Sequence, residues 1–109
     1  MLPSRYRLRK KSDFVRVLKN GQSRNSRLLA MKFVNNEDSF SRLGLLAGKK
    51  TFKKASQRNR VKRKLREAAR RNLSRVSPGW DIIFIARAGL EKNTLKEAEK
   101  TILFLLEEA

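Results

Sequence analysis

The chain has 109 residues, enough for one domain with one modest core, and carries 28 Lys and Arg against 10 Asp and Glu, a formal charge of +18. The absence of cysteine excludes a disulfide framework and a finger-type zinc site, and the absence of histidine removes the usual general base near neutral pH. No signal peptide or apolar run long enough to span a bilayer is legible, so the cytoplasm is the expected location and no membrane partner is expected.

Residues 1–11 read as a basic arm, with five cationic side chains and Tyr6 among them, suited to phosphate contact and base stacking. Ser12 reads as an N-cap with Asp13 in the first turn, opening a short helix that runs to about Asn20 and stops at Gly21. Phe14, Val17 and Leu18 share one face of it, which suits either core packing or the wall of a groove. There is room for a short strand near Gln22–Asn25. Residues 28–34 read as a strand, residues 35–38 as a turn and residues 41–48 as a second strand, the two expected to pair as a hairpin with a longer loop. Gly44 marks a close backbone approach or a bulge.

Residues 49–54 form a basic connector into the most informative stretch, residues 55–75, ASQRNRVKRKLREAARRNLSR. At about 100° per residue, Val61, Leu65, Ala68, Ala69, Leu73 and Val76 fall on one apolar stripe of a helix. Arg58, Lys62, Arg66 and Arg70 follow at i+4 steps on the neighbouring stripe with Asn59 and Arg63 beside them, while Arg60, Lys64 and Arg71 lie on the other flank. The only carboxylate here is Glu67, so intrahelical pairing leaves most of this charge uncompensated, and like charges at i,i+4 repel. A polyanion supplies the missing counter-charge.

Pro78 and Gly79 close that helix. Residues 80–86, WDIIFIA, are nearly continuous apolar and read as an interior strand. Thr94 and Glu97 form a capping box for a last helix in which Leu95, Ala98, Ile102, Leu105 and Leu106 recur at helical spacing. The reading is a single α+β domain.

Charge is uneven along the chain: residues 1–48 hold 11 basic and 3 acidic groups, residues 49–75 hold 13 and 1, and residues 76–109 hold 4 and 6. A concentrated basic footprint is the electrostatic sign of a nucleic-acid binder. Chemistry by the protein itself is not expected. Six of its ten carboxylates lie in the last third, away from any cluster suited to two-metal catalysis, and the connector lacks a phosphate-cradling glycine pattern.

These residues carry a specific resemblance. Lys49-Lys50, then Ala55, Arg58-Asn59-Arg60-Val61-Lys62-Arg63, Leu65-Arg66-Glu67 resemble the RNR signature of the bacterial ribonuclease P protein subunit. Arg7-Leu8, Asp13-Phe14, Leu18-Lys19, Gly21, Arg42-Leu43-Gly44-Leu45 and Asp81 to Arg87 follow in the family's order and spacing. The resemblance implies a four-stranded sheet with helices in αβββαβα order and a left-handed β-α-β crossover to the central helix. It implies a partner RNA that cleaves precursor tRNA with Mg²⁺ and leaves a 5′-phosphate, the protein contributing no catalytic residue. Carried over, Lys49, Lys50, Arg58, Asn59, Arg60, Lys62, Arg63, Arg66 and Arg70 are the RNA-binding set. Phe14 and Leu18 would wall a cleft for the precursor's 5′ leader, with Lys32 across from them. Many members carry aromatics where Leu18 and Lys32 stand, so Lys32 is expected to meet a leader phosphate. The alternatives are a structural or ribosomal RNA-binding protein without a processing role, or a DNA-binding module reading the major groove with residues 55–75. No second helix is placed for a helix-turn-helix, so DNA is not an expected partner.

Overall fold

The computed structural model describes residues 6–107, and residues 1–5 of the expected basic arm lie outside them. The order is α1 (Lys11–Asn20), β1 (Gln22–Asn25), β2 (Leu29–Asn35), β3 (Arg42–Leu46), α2 (Ala55–Arg71), β4 (Trp80–Ala86) and α3 (Leu95–Glu107), with 3₁₀ turns at Leu73–Arg75 and Leu90–Lys92. This is the αβββαβα order, as a single α+β domain.

The sheet is mixed, in the order β1-β2-β4-β3. β2 and β3 do not pair, contrary to the expected hairpin: β4 lies between them, antiparallel to β2 and parallel to β3. The reason is burial on both faces. Ile82 and Phe84 of β4 face the main core, Ile83 packs on the other side, and all three are buried. A strand apolar on both faces belongs inside the sheet, so the loop after β2 leaves a slot that β4 fills later. A parallel β3–β4 pair requires a crossover, and α2 supplies it.

On one face α2 and α3 cover Leu29, Met31, Phe33, Leu43, Ile82 and Phe84, burying Val61, Leu65, Ala68 and Ala69 of α2 and Ala98, Ile102 and Leu105 of α3. The apolar stripe of α2 therefore has the predicted phase. The other face carries a smaller cluster, Leu8, Val17 and Ile83, on which Phe14, Leu18, Val34, Leu46 and Ile85 pack.

Helix ends differ in detail. α1 begins after Lys10, with no side-chain cap, rather than after Ser12. Gly21 ends it in extended backbone (φ −75°), and a Cβ there would lie 2.4 Å from the Val17 carbonyl and 3.0 Å from that of Phe33, so close approach to β2 demands glycine. α2 stops at Arg71, short of the expected residue 75, because buried Asn72 folds its amide back to donate to the Ala68 carbonyl at 2.8 Å. The Thr94–Glu97 capping box forms reciprocally, at 3.2 and 3.0 Å.

Candidate nucleic-acid interface

α2 brings most of the predicted RNA-binding set onto one surface. Asn59, Arg60 and Arg63 are exposed, and Lys62 and Arg66 are half-buried beside the apolar stripe. Among the described residues, Arg60, Lys62, Arg63 and Arg66 take part in no ion pair. The first turn of α2 holds no acidic residue, so the positive end of the helix adds to the same field. Lys49 and Lys50 stand exposed in the turn leading to it.

Four cations of α2 are instead committed to the fold. Arg58 Nη1 donates to the carbonyls of Phe52 (2.8 Å) and Lys53 (3.1 Å), fastening the connector whose Phe52 is buried in the core. Lys64 Nζ donates to the carbonyls of Leu90, Glu91 and Asn93, tying α2 to the turn before α3. Arg70 pairs with Glu67 at 2.5 Å. Arg71, from the opposite flank, pairs with Glu67 at 3.2 Å and with Glu99 of α3 at 3.3 Å. The Arg70 hydrogen bond, followed by that of Arg71, pulls the Glu67 carboxyl down to about 2. Intrahelical pairing is thus effective in the last turn of α2 and ineffective in its first three.

Phe14 and Leu18 project from α1 onto the smaller cluster, and Lys32 lies on the same face of the sheet, in register with Ile83 of β4. Gly44 explains how α1 sits so close: a Cβ there would be 2.7 Å from Phe14 Cζ. Close backbone approach, not a bulge, is its role. Residues 6–10 do not form a loose arm, since Arg7 bridges to Leu43 in parallel register and buried Leu8 donates its N–H to the Leu43 carbonyl at 2.8 Å. Tyr6 packs edge-on against Phe40, ring centroids 5.8 Å apart. A depression of about 170 Å³ lined by Arg7, Phe14, Gly44, Lys62 and Arg66 lies between Phe14 of α1 and the basic face of α2. One continuous cationic and aromatic surface therefore suits a single-stranded segment leaving a structured polyanion.

Sequence reasoning missed Asp81. It is fully buried on β4, where Arg42 Nε and Nη2 donate to its two oxygens at 3.0 and 2.8 Å. Asn36 Nδ2 donates at 2.8 Å and Arg16 Nη2 donates to the second oxygen. Burial alone would raise this carboxyl; the hydrogen bonds from Arg42, Asn36 and Arg16 outweigh it and hold the group below the usual Asp value. The signal was one charge inside an apolar strand, which requires partners.

The family model described as Ribonuclease P matches residues 2–109. The chain is 41% identical over 96 residues to the ribonuclease P protein component of Clostridioides difficile, spanning 87% of this chain and 83% of that one. It is 42% identical over 100 residues to that of Alkaliphilus oremlandii, spanning 92% and 87%. Its structure is similar to the RNase P protein from Thermotoga maritima, with TM-score 0.84 and 33% identity over 94% of this chain and 96% of that one. The Staphylococcus aureus RNase P protein is also similar, at TM-score 0.81 and 33% identity over 94% of each chain.

Proposed function

The chain belongs to the ribonuclease P protein family, and we propose that within this tRNA-processing ribonucleoprotein α2 seats it on the catalytic RNA while the α1 cleft takes the 5′ leader of precursor tRNA. The observation that carries this reading is the continuity of the two surfaces through the depression between Phe14, Lys62 and Arg66. Arg60, Lys62, Arg63 and Arg66, with Asn59, meet the phosphates of the RNA partner. Arg58 holds the connector in place beneath them, and Lys49 and Lys50 extend the footprint. Phe14 and Leu18 offer apolar walls to leader nucleotides, and Lys32 a charge to a leader phosphate.

Cleavage of the phosphodiester belongs to the RNA in this reading. Mg²⁺ in this reading is held by the RNA, whose phosphates supply the oxygen ligands that this ion takes. The protein's own contribution is to lie between two polyanions, lower their repulsion and add leader contacts that mature tRNA lacks. The same reading places it in the cytoplasm with its substrate; among the described residues no helix is long and apolar enough to cross a membrane.

The test is cleavage of precursor tRNA by RNA alone, by protein alone and by both, across a Mg²⁺ series. The protein should tighten precursor binding and lower the divalent-ion requirement, with less benefit as Mg²⁺ or salt rises. Cleavage by highly purified protein alone would overturn the division of labour. RNA binding without any gain in precursor cleavage would favour a structural RNA-binding role.

A further inference from the structure

We infer that Asp81, buried under the sheet's α1 side, is a positioning residue for the leader cleft: through Arg16 it fixes where α1, and so Phe14, stands over the strands. The inference rests on the cleft assignment above and adds to it a group that never touches RNA.

The geometry carries it. One carboxylate on β4 holds side chains from three other places in the chain: Arg16 of α1, Asn36 at the end of β2 and Arg42 of β3. Asp13 of α1 adds a second bridge, 3.5 Å from Arg42 Nη1 and 3.8 Å from Arg16 Nη2. α1 is only ten residues long and buries only Val17 fully. Charge-assisted hydrogen bonds add a fixed position and angle to this small apolar contact. Phe14 adjoins Asp13 in α1, and Gly44, against which the Phe14 ring rests, follows Arg42 by two residues in β3. The ion network and the cleft wall are therefore built on the same two elements. A shift of α1 along the sheet would carry Phe14 and Leu18 with it while leaving α2 in place.

Arg16→Met separates the tether from the buried charge, since Arg42 and Asn36 still satisfy Asp81 and Arg16 is partly exposed. The experiment reconstitutes the holoenzyme with the cognate RNA and compares binding of precursor tRNA with that of mature tRNA. Four proteins are compared: unaltered, Arg16→Met, Phe14→Ala and the double variant. Arg16→Met should assemble with the RNA as the unaltered protein does and lose part of the discrimination that Phe14→Ala loses, since the Asp13–Arg42 bridge remains. Combined with Phe14→Ala, it should cause no further loss. Asp81→Asn should lose discrimination as well, in step with a lowered melting temperature. Additive losses in the double variant would mean that Arg16 meets the leader directly, which overturns the inference, and so would full discrimination by Arg16→Met. If the unaltered protein itself fails to discriminate precursor from mature tRNA, the cleft assignment falls instead.

Discussion

Leu65 and Arg66 are consecutive in α2 and point to opposite tasks, so replacing each by alanine separates folding from binding. Leu65 has no exposed surface and sits in the main core among residues of the sheet, α2 and α3. Leu65→Ala loses that burial and leaves a cavity, at a cost of about 2–5 kcal/mol. That is a large share of the ~5–15 kcal/mol that holds an ordinary domain folded. At about 4 °C per kcal/mol for a domain near this size, the melting temperature should drop by roughly 8 °C or more. Arg66 is half-buried at the edge of the apolar stripe and has no ion pair among the described residues. Arg66→Ala should change stability by only about 0.5 kcal/mol, a surface-like effect. Its consequence appears in RNA binding: one phosphate contact fewer lowers the slope of log K against log salt by about 0.7–0.9. Thermal melts by circular dichroism, with filter binding to the RNA across a salt series at a temperature where both variants are folded, read both quantities. Equal loss of melting temperature by the two variants would refute the helix phase. An unchanged salt slope for Arg66→Ala would refute its phosphate contact.

The last turn of α2 should behave differently from the first three: Arg70→Ala should lower the salt slope less than Arg66→Ala, because Glu67 already engages Arg70, and a slope loss equal to that of Arg66→Ala would contradict this. The Glu67 carboxyl should titrate near 2 by NMR; its folded value lies below its unfolded one, so its contribution is complete above about pH 4.5 and fades as the pH falls toward 2. A Glu67 midpoint near the ordinary glutamate value would show that the pair is not formed in solution. Gly21→Ala should destabilise the domain by about 1–3 kcal/mol, since the added carbon meets backbone on both sides, and an unchanged melt would place α1 farther from β2.

What was legible followed from local pattern. A nearly continuous apolar run marked β4, the Thr94–Glu97 spacing marked the start of α3, and the spacing of Val61, Leu65, Ala68 and Ala69 set the phase of α2. What was not legible depends on partners distant in sequence. The pairing of β2 with β4 rather than β3 is decided by a strand that begins 45 residues after β2 ends, at Trp80 against Asn35. Asn72 could be expected to end α2 only by knowing that its side chain would turn back to Ala68. Likewise, nothing in the spacing of Arg58, Lys64 or Arg71 says that each turns toward a carbonyl or carboxylate of the fold. Residues 6–10 read as a free arm because their strand-like bridge to Leu43 spans most of the first half of the chain.

The position of the few carboxylates explains how a +18 chain both folds and stays available to RNA. Asp81 and Asp13 take up Arg16 and Arg42, locking α1 to the sheet. Glu67 and Glu99 take up Arg70 and Arg71, locking the end of α2 to α3. These four carboxylates stand where an arginine must be held still, and a paired arginine is a rigid strut rather than a free contact. Among the described residues the stretch from Arg60 to Arg66 receives no such partner, and its repulsion is borne by the apolar stripe that buries Val61 and Leu65 beneath it. Binding a polyanion relieves that repulsion, so association with RNA should also stabilise the protein. The internal pairs, by contrast, are already satisfied and gain little from it. The same distribution therefore sets apart the cations that build the surface from those that use it.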